Sequence, residues 1–260
     1  QATEGEYSPT HPPTANRMDR SSSPIESTPG PNERAGGGAG FFRRMLLLLS
    51  APGRLGDHLR ERPVWWDALL LGALLVAGAN LLIPPEVWED FVRAQAMGSG
   101  SAATDGTPPA PGDMIRIFSS LAAPVAWVLF MLISSGIMTF VFAFLLGDEG
   151  RFGQYFAGTA HAALLTGLGG ILVSPLRAAR SDPQLTLSVG TFLQGALDGS
   201  FVGVFLNSLD LFGLWAWVVM GIVFSRYDPG RSAGSAVAIV LGISGALVAV
   251  LAGFQYRAMG

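Results

Sequence analysis

The chain has 260 residues, of which 50% are hydrophobic and only 13% are charged, and its formal net charge is −3. A soluble domain carries about 25% charged residues, so this composition is typical of a membrane protein. The chain has no excess of basic residues, so its charge does not indicate a nucleic-acid partner. The absence of cysteine excludes disulfides, thiolate catalysis and cysteine-bound metal.

Residues 1–40 are rich in Ser, Pro, Gly, Thr and Glu and poor in large apolar side chains. Such a segment cannot bury enough apolar surface to offset the entropy that it would lose on ordering. We therefore predict a disordered N-terminal tail that ends in a glycine hinge at residues 36–40.

Residues 41–64 form a basic segment in which short apolar runs alternate with charged residues. A basic amphipathic helix is suited to lie along an anionic membrane surface, and the alternative is a helix packed under the membrane domain. We predict an interfacial helical segment here. The candidate contacts to the membrane surface are Arg43, Arg44, Arg54, Arg60 and Arg62.

Five apolar blocks approach or exceed the length needed to cross a hydrocarbon core of about 30 Å. No strand pattern accompanies them, so we predict an all-α polytopic membrane helix bundle over residues 65–254, with a polar extramembrane loop at residues 84–120. The predicted transmembrane helices occupy residues 65–83, 121–146, 155–176, 201–224 and 233–254.

Asp210 lies in or beside the fourth apolar block. If residues 201–224 cross the membrane as one helix, this carboxylate lies inside the bilayer, where a charge is costly and usually functional. If a shorter span begins near residue 209 and residues 191–206 form a separate helix, Asp210 lies at the outer interface and complements a helix N-terminus. The interfacial position is favoured, with Asn207 three residues earlier on the same face.

Three more polar residues mark the predicted membrane domain. His161 and Asn80 are expected to hydrogen-bond neighbouring helices, because a polar group in hydrocarbon needs a partner. Asp67 begins the first span and is expected to pair with Arg60 or Arg62, or to cap its helix. A lone histidine is a poor metal site, so we expect no metal and no cofactor.

Residues 242–245 read Gly-Ile-Ser-Gly, the GxSG pattern of intramembrane serine proteases. Such an enzyme needs a base for its serine, and His161 precedes this serine instead of following it as in rhomboid-type proteases. Close helix packing through small residues explains the pattern better, and we expect no enzyme activity. The residues assigned to this packing are Gly242, Gly245, Ala249 and Gly253.

Arginine is more frequent on one side of the predicted topology than on the other. The inner side would hold eight arginines and the outer side five, which predicts a cytoplasmic N-terminus and an outward C-terminus. All 16 basic residues are arginine, which with abundant Ala and Gly indicates a GC-rich genome and thus a bacterial cytoplasmic membrane.

Three stretches resemble the Yip family of five-span proteins, named for interaction with Ypt/Rab GTPases. The third stretch carries Asp210, Leu211, Phe212 and Trp215 spaced as in bacterial members. The stretches are MLLLLSAPGRLGDHLRERPVWWDALLL (45–71), GRFGQYFAGTAHAALLTGLGGIL (150–172) and LDLFGLWAWVVMGIVFSR (209–226). The resemblance implies a five-span fold, a cytoplasmic N-terminal tail and binding to other membrane proteins or lipids. It supplies no catalytic residue, and it implies no Rab partner in a bacterium.

The sequence therefore predicts a non-enzymatic membrane protein of the Yip type that organises lipids and other membrane proteins or copies of itself, without nucleic acid. A small transporter or channel that uses the intramembrane polar residues is the alternative. An intramembrane serine protease is a third class that rests on residues 242–245 alone. A polar cavity lined by Asp210, Asn207, His161 and Asn80 would favour transport, whereas a dry bundle would favour the organiser.

Overall fold

The computed structural model describes residues 36–98, 111–193, 197 and 199–259, so most of the predicted tail lies outside the described residues. The described residues from Gly37 onward belong to one compact unit. The described helices are α1 Gly36–Ser50, α2 Pro52–Glu61, α3 Trp66–Leu81, α4 Pro85–Gly98, α5 Gly112–Thr139, α6 Phe152–Arg180, α7 Phe201–Asn207, α8 Leu211–Phe224 and α9 Ala233–Met259. The predicted glycine hinge at residues 36–40 is wrong, because these residues begin α1.

The described ranges form a helical bundle without a strand, as the sequence predicts. Three helices are long and apolar enough to span a membrane: Gly112–Leu145, Phe152–Arg180 and Ala233–Ala258. A fourth candidate is the pair of α3 and α4, which bends by 80° at its break. The break lies at residues 82–84, directly before Pro85, because the helical conformation is disfavoured for a residue that precedes a proline.

The predicted fourth span, residues 201–224, is divided in the structure. A seven-residue helix, α7, ends at Asn207, and the apolar helix α8 begins at Leu211. Residues Ser188 and Asp210 form an isolated antiparallel bridge at this interruption. At 1.5 Å per residue α8 is about 21 Å long, which is shorter than the hydrocarbon core.

Helix α6 lies at the centre of the bundle and packs against α3, α5 and α8. Every residue from Tyr155 to Leu165 is buried. Small side chains permit this, because a Cβ atom added at Gly158 would meet Phe224 at 2.9 Å, and one added at Gly167 would meet Leu75 at 3.0 Å. The close approach of neighbouring helices along α6 therefore depends on these glycines.

Helix α5 is longer than predicted at its N-terminal side. It begins at Gly112 instead of residue 121, and a π-helical segment, Phe140–Leu145, continues it. The backbone N–H of Gly112 donates to Glu89 of α4 at 2.7 Å. The predicted polar loop at residues 84–120 thus contains α4 and the first turns of α5.

Helices α3, α5, α6, α8 and α9 run alternately between two ends of the bundle. We call one end the platform, which comprises α1, α2, residues 62–65 and the connections 146–151 and 225–232. The far end comprises α4, residues 181–210 and α7. The platform holds eight arginines: Arg43, Arg44, Arg54, Arg60, Arg62, Arg151, Arg226 and Arg231.

Candidate functional site

Arg44 and Asp67 form an ion pair that fixes α1 to the start of α3. Both side chains are almost fully buried, so the prediction that Arg44 contacts the membrane surface is wrong. The reason is local, because Arg44 lies one turn before Leu48, on the face of α1 that packs into the core. The predicted pairing of Asp67 with Arg60 or Arg62 is wrong as well.

Two further ion pairs connect distant segments of the platform. Arg226 donates from Nε to Asp57 of α2 at 2.7 Å. Arg231 donates from Nε to Asp148 at 3.2 Å, and the Asp148 side chain is only 2% exposed. Each carboxylate raises the pKa of its arginine chiefly through this hydrogen bond, so the cations stay charged.

Neutral contacts complete the platform. The side-chain amide of Gln154 donates to the carbonyl oxygen of Arg60 at 2.7 Å, and the Tyr227 hydroxyl donates to the carbonyl oxygen of Gln154 at 2.9 Å. Burial raises the pKa of the Tyr227 phenol, which keeps it a donor. An aromatic cluster packs beneath these contacts, with its rings tilted or edge to face and their centroids 5.0 to 5.9 Å apart: Phe142, Tyr155, Phe224 and Tyr227.

The outer face of α1 carries an apolar stripe. Phe42, Leu46 and Leu49 follow one another at helical spacing and are 69%, 69% and 56% exposed. On the inner faces of α1 and α2, Leu48, Leu55 and Leu59 are buried in the core. The segment therefore packs on the bundle with one side and leaves its other side uncovered.

The remaining candidate surface arginines are exposed on the same platform. Arg43, Arg54 and Arg62 are exposed, and Arg60 lies 3.6 Å from Glu149 at an exposed site. Trp65 and Trp66, at the start of α3, are exposed as well. Arginine and tryptophan beside an apolar stripe are typical of a membrane–water interface.

Asp210 caps the N-terminus of α8 by accepting a hydrogen bond from the backbone N–H of Gly213 at 2.8 Å. Burial raises the pKa of this carboxyl, while the backbone N–H groups and Arg177 oppose that shift. Residues 201–224 do not form one continuous helix, so Asp210 does not lie inside such a span. Asn207 lies beside Asp210 in a cleft of about 350 Å³ at the far end, together with Gln184, Thr186 and Gln255.

His161 and Asn80 do not bond neighbouring helices as predicted. His161 Nδ1 lies 2.8 Å from the carbonyl oxygen of Ala157, and Asn80 Nδ2 donates to Val76 at 2.9 Å, each within its own helix. A serine supplies the interhelical bond instead, because Ser174 Oγ lies 3.0 Å from the carbonyl oxygen of Ala79. The side chains of His161 and Asn80 therefore bond within their own helices and do not line the cleft that contains Asp210.

Among the described residues, the three glycines of the predicted packing set Gly242, Gly245, Ala249 and Gly253 make no close helix contact. A Cβ atom added at Gly242 or Gly245 would meet no atom within 4 Å, and one at Gly253 would only touch Phe201 at 3.9 Å. Helix α9 packs on α8 through another face, which carries the buried Ala236 and Val240. Small residues thus mark an uncovered face of α9.

A crevice lies between α5 and α9, with α6 and α8 as its floor. Its volume is about 300 Å³, and apolar side chains line most of it. Ser244, the serine of the GxSG pattern, and the fully buried Thr159 are among the few polar residues there. We call this feature the crevice; its lining includes Trp127, Met131, Met138, Thr159, Thr166 and Leu251.

Sequence reasoning missed the partners that assemble the platform, above all Asp57 and Asp148. A signal was present, because both loops on the predicted inner side carry charges of opposite sign, and these meet in the structure as Asp148 and Arg231. No comparable signal marks Thr159, whose place in the crevice depends on how four helices pack.

The chain is similar to the membrane protein YknW of Bacillus subtilis. The two are 24% identical over 206 residues, which cover 75% of this chain and 83% of that protein. No family model matches the chain, and no solved structure matches it. With the apolar helices, the similarity identifies an integral membrane protein.

Proposed function

We propose that the chain is a non-enzymatic membrane protein of the Yip type, which organises lipids and other membrane proteins at the surface of a bacterial cytoplasmic membrane. The outer face of α1 is the observation that carries this proposal. Its apolar stripe is uncovered in the described chain, and exposed arginines lie on the same platform, a combination that suits an anionic membrane surface.

The ion pairs of the platform support this role. Arg44 with Asp67, and Arg226 with Asp57, hold α1 and α2 against the ends of the transmembrane helices. A preorganised surface loses less entropy on binding than a mobile one. The platform therefore presents Phe42, Leu46 and Leu49 as a fixed contact surface.

The placement of polar residues also favours an organiser over a transporter. Asp210 and Asn207 line the cleft at the far end, whereas His161 and Asn80 bond within their own helices. The four residues thus do not line one cavity in the described chain. Proton flux into liposomes that depends on Asp210 would overturn the proposal in favour of transport.

Spin labelling tests the membrane contact directly, since the chain has no cysteine to remove. A single cysteine at Leu46 carries a nitroxide in the full chain reconstituted in anionic vesicles. We expect this label to be more accessible to oxygen than to a polar nickel complex. A label at Glu61, which is exposed at the end of α2, serves as the water-facing control. Equal exposure of both labels to the nickel complex would contradict the proposal.

Orientation is tested with the same cysteine-free background. The arginine excess at the platform predicts that this end faces the cytoplasm. A cysteine at Gln184, exposed at the far end, should react in intact cells with a membrane-impermeant thiol reagent, and one at Glu61 should not. The reverse pattern would place the platform outside.

A further inference from the structure

The crevice is narrow and long. On α5 its lining extends from Trp127 to Met138, which corresponds to about 17 Å along the helix. A volume of about 300 Å³ spread over this length leaves room for one hydrocarbon chain. A helix with side chains is about 10 Å across and does not fit without separating α5 from α9.

Thr159 differs from two other hydroxyl residues of the spanning helices and resembles Tyr155, whose hydroxyl also lacks a partner among the described residues. Ser135 and Thr139 each donate a hydrogen bond to the carbonyl oxygen four residues earlier, at 2.7 Å. Thr159 is 0% exposed, yet its hydroxyl has no partner among the described residues. A buried donor without a partner is unfavourable, so this hydroxyl would gain from an acceptor that enters the crevice.

The level of Thr159 indicates what that acceptor is. Helix α6 has 29 residues and is about 44 Å long, so each end extends about 7 Å beyond a 30 Å hydrocarbon core. Thr159 lies seven residues after Phe152, about 10 Å from the platform end. With α6 centred on the core and perpendicular to it, Thr159 would lie just inside the hydrocarbon boundary, where the ester carbonyls of phospholipids meet their acyl chains.

We propose that the crevice binds one acyl chain of a phospholipid from the leaflet on the platform side, and that the Thr159 hydroxyl donates a hydrogen bond to its ester carbonyl. The chain extends past Met131 towards Leu251, along an apolar wall. The inference specifies the lipid part of the proposed function and rests on it only in that respect, since the crevice is separate from the outer face of α1.

Native mass spectrometry of the purified full-length chain tests the hydrogen bond. The delipidated protein is titrated with diester phosphatidylglycerol or with its diether analogue, which has the same chains but no ester carbonyl. We expect wild type to retain the diester lipid about threefold better, the scale of one interhelical hydrogen bond in a membrane. Thr159→Val should retain both lipids equally.

A matched control lies about two turns further along α6. Thr166 also lines the crevice, but its hydroxyl already donates to the carbonyl oxygen of Ala163 at 2.7 Å. Thr166→Val should therefore keep the preference for the diester lipid. Thr159→Ser, which restores a donor, should keep it too. Equal retention of the two lipids by wild type would overturn the proposal.

Bulk placed in the crevice tests the position of the chain. Val248→Phe, at the α9 wall, should lower the retention of both lipids, whereas Val250→Phe, at an exposed site of the same helix, should not. Unchanged retention in Val248→Phe, or a dimer in which a second copy covers the crevice, would overturn the proposal. Neither result depends on the label at Leu46, so failure here is distinguishable from failure of the proposed function.

Discussion

Asp148 and Arg231 meet across 83 residues of chain and join the connection 146–151 to the loop before α9. The carboxylate is buried, and the guanidinium carbon lies 5.9 Å above the centre of the Phe142 ring. The pair therefore closes the platform over the aromatic cluster of Phe142, Tyr155, Phe224 and Tyr227.

Removing one member of this pair should destabilise the protein strongly. Arg231→Ala leaves Asp148 buried without its cation, and breaking a buried pair typically costs about 3–5 kcal/mol. We expect the midpoint of thermal unfolding in detergent to fall clearly. Arg54→Ala, at an exposed arginine of α2, is the control and should change stability by less than about 0.5 kcal/mol.

The double variant Asp148→Leu with Arg231→Leu distinguishes a charge effect from a packing effect. Replacing both partners by apolar side chains of similar size is often neutral, because no charge remains buried. We expect it to recover most of the stability lost in Arg231→Ala. A double variant as unstable as Arg231→Ala would show that packing against Phe142 dominates.

Two glycines of α8 and α9 should respond in opposite ways to the same substitution. A Cβ atom at Gly221 would lie 2.5 Å from Cα of Val237, so Gly221→Ala must separate the two helices. We expect a loss of about 1–3 kcal/mol, the usual cost of overpacking. Gly242→Ala meets no atom within 4 Å and should be neutral or stabilising by up to about 1 kcal/mol.

Thermal unfolding of both variants in the same detergent provides the measurement. Strong destabilisation by Gly242→Ala would mean that another helix, such as one from a second copy, covers this face of α9. An unaffected Gly221→Ala would contradict the close contact between α8 and α9.

Asp210 should make stability depend on pH in a definite direction. Burial raises its folded-state pKa above the usual value of about 3.9, so the folded state binds this proton more tightly than the unfolded state. Its contribution to the free energy of unfolding therefore falls as the pH rises through the folded-state pKa. Asp210→Asn keeps a good N-cap and removes this slope.

The measurement compares unfolding of wild type and Asp210→Asn in detergent from about pH 4 to about pH 7. The advantage of the Asn variant should grow with pH and then level off. Asp210→Ala should show the same flattened pH profile as Asp210→Asn. Its free energy of unfolding should be lower than that of the Asn variant by about 1 kcal/mol at every pH, because the N-cap is lost. A difference between wild type and Asn that does not change with pH would contradict the prediction.

The apolar blocks of the sequence predict the helical bundle and most helix positions, because hydrophobic length is a local property. They do not predict the bend between α3 and α4 or the division at Asn207 and Asp210. Those features depend on proline chemistry and on a capping contact that competes with a continuous helix. The cap at Asp210 was one of two arrangements that the sequence left open.

The side-chain partners were less predictable than the helices. Arg44 resembles its neighbour Arg43 in sequence, yet one side chain is buried against Asp67 and the other is exposed. The difference depends on which face of α1 meets the bundle. Small residues on α9 likewise indicate that a close approach is possible, but they do not determine which helix approaches.

The shortness of α8 has a consequence for the surrounding lipid. This helix covers about 21 Å, and its outer face exposes Leu211 and Trp215. A hydrophobic segment shorter than the bilayer draws the two leaflets together beside it. Lipids next to α8 are therefore expected to be compressed relative to those around α5 and α9. We therefore expect the membrane to be thinner on the α8 side of the protein than on the sides of α5 and α9.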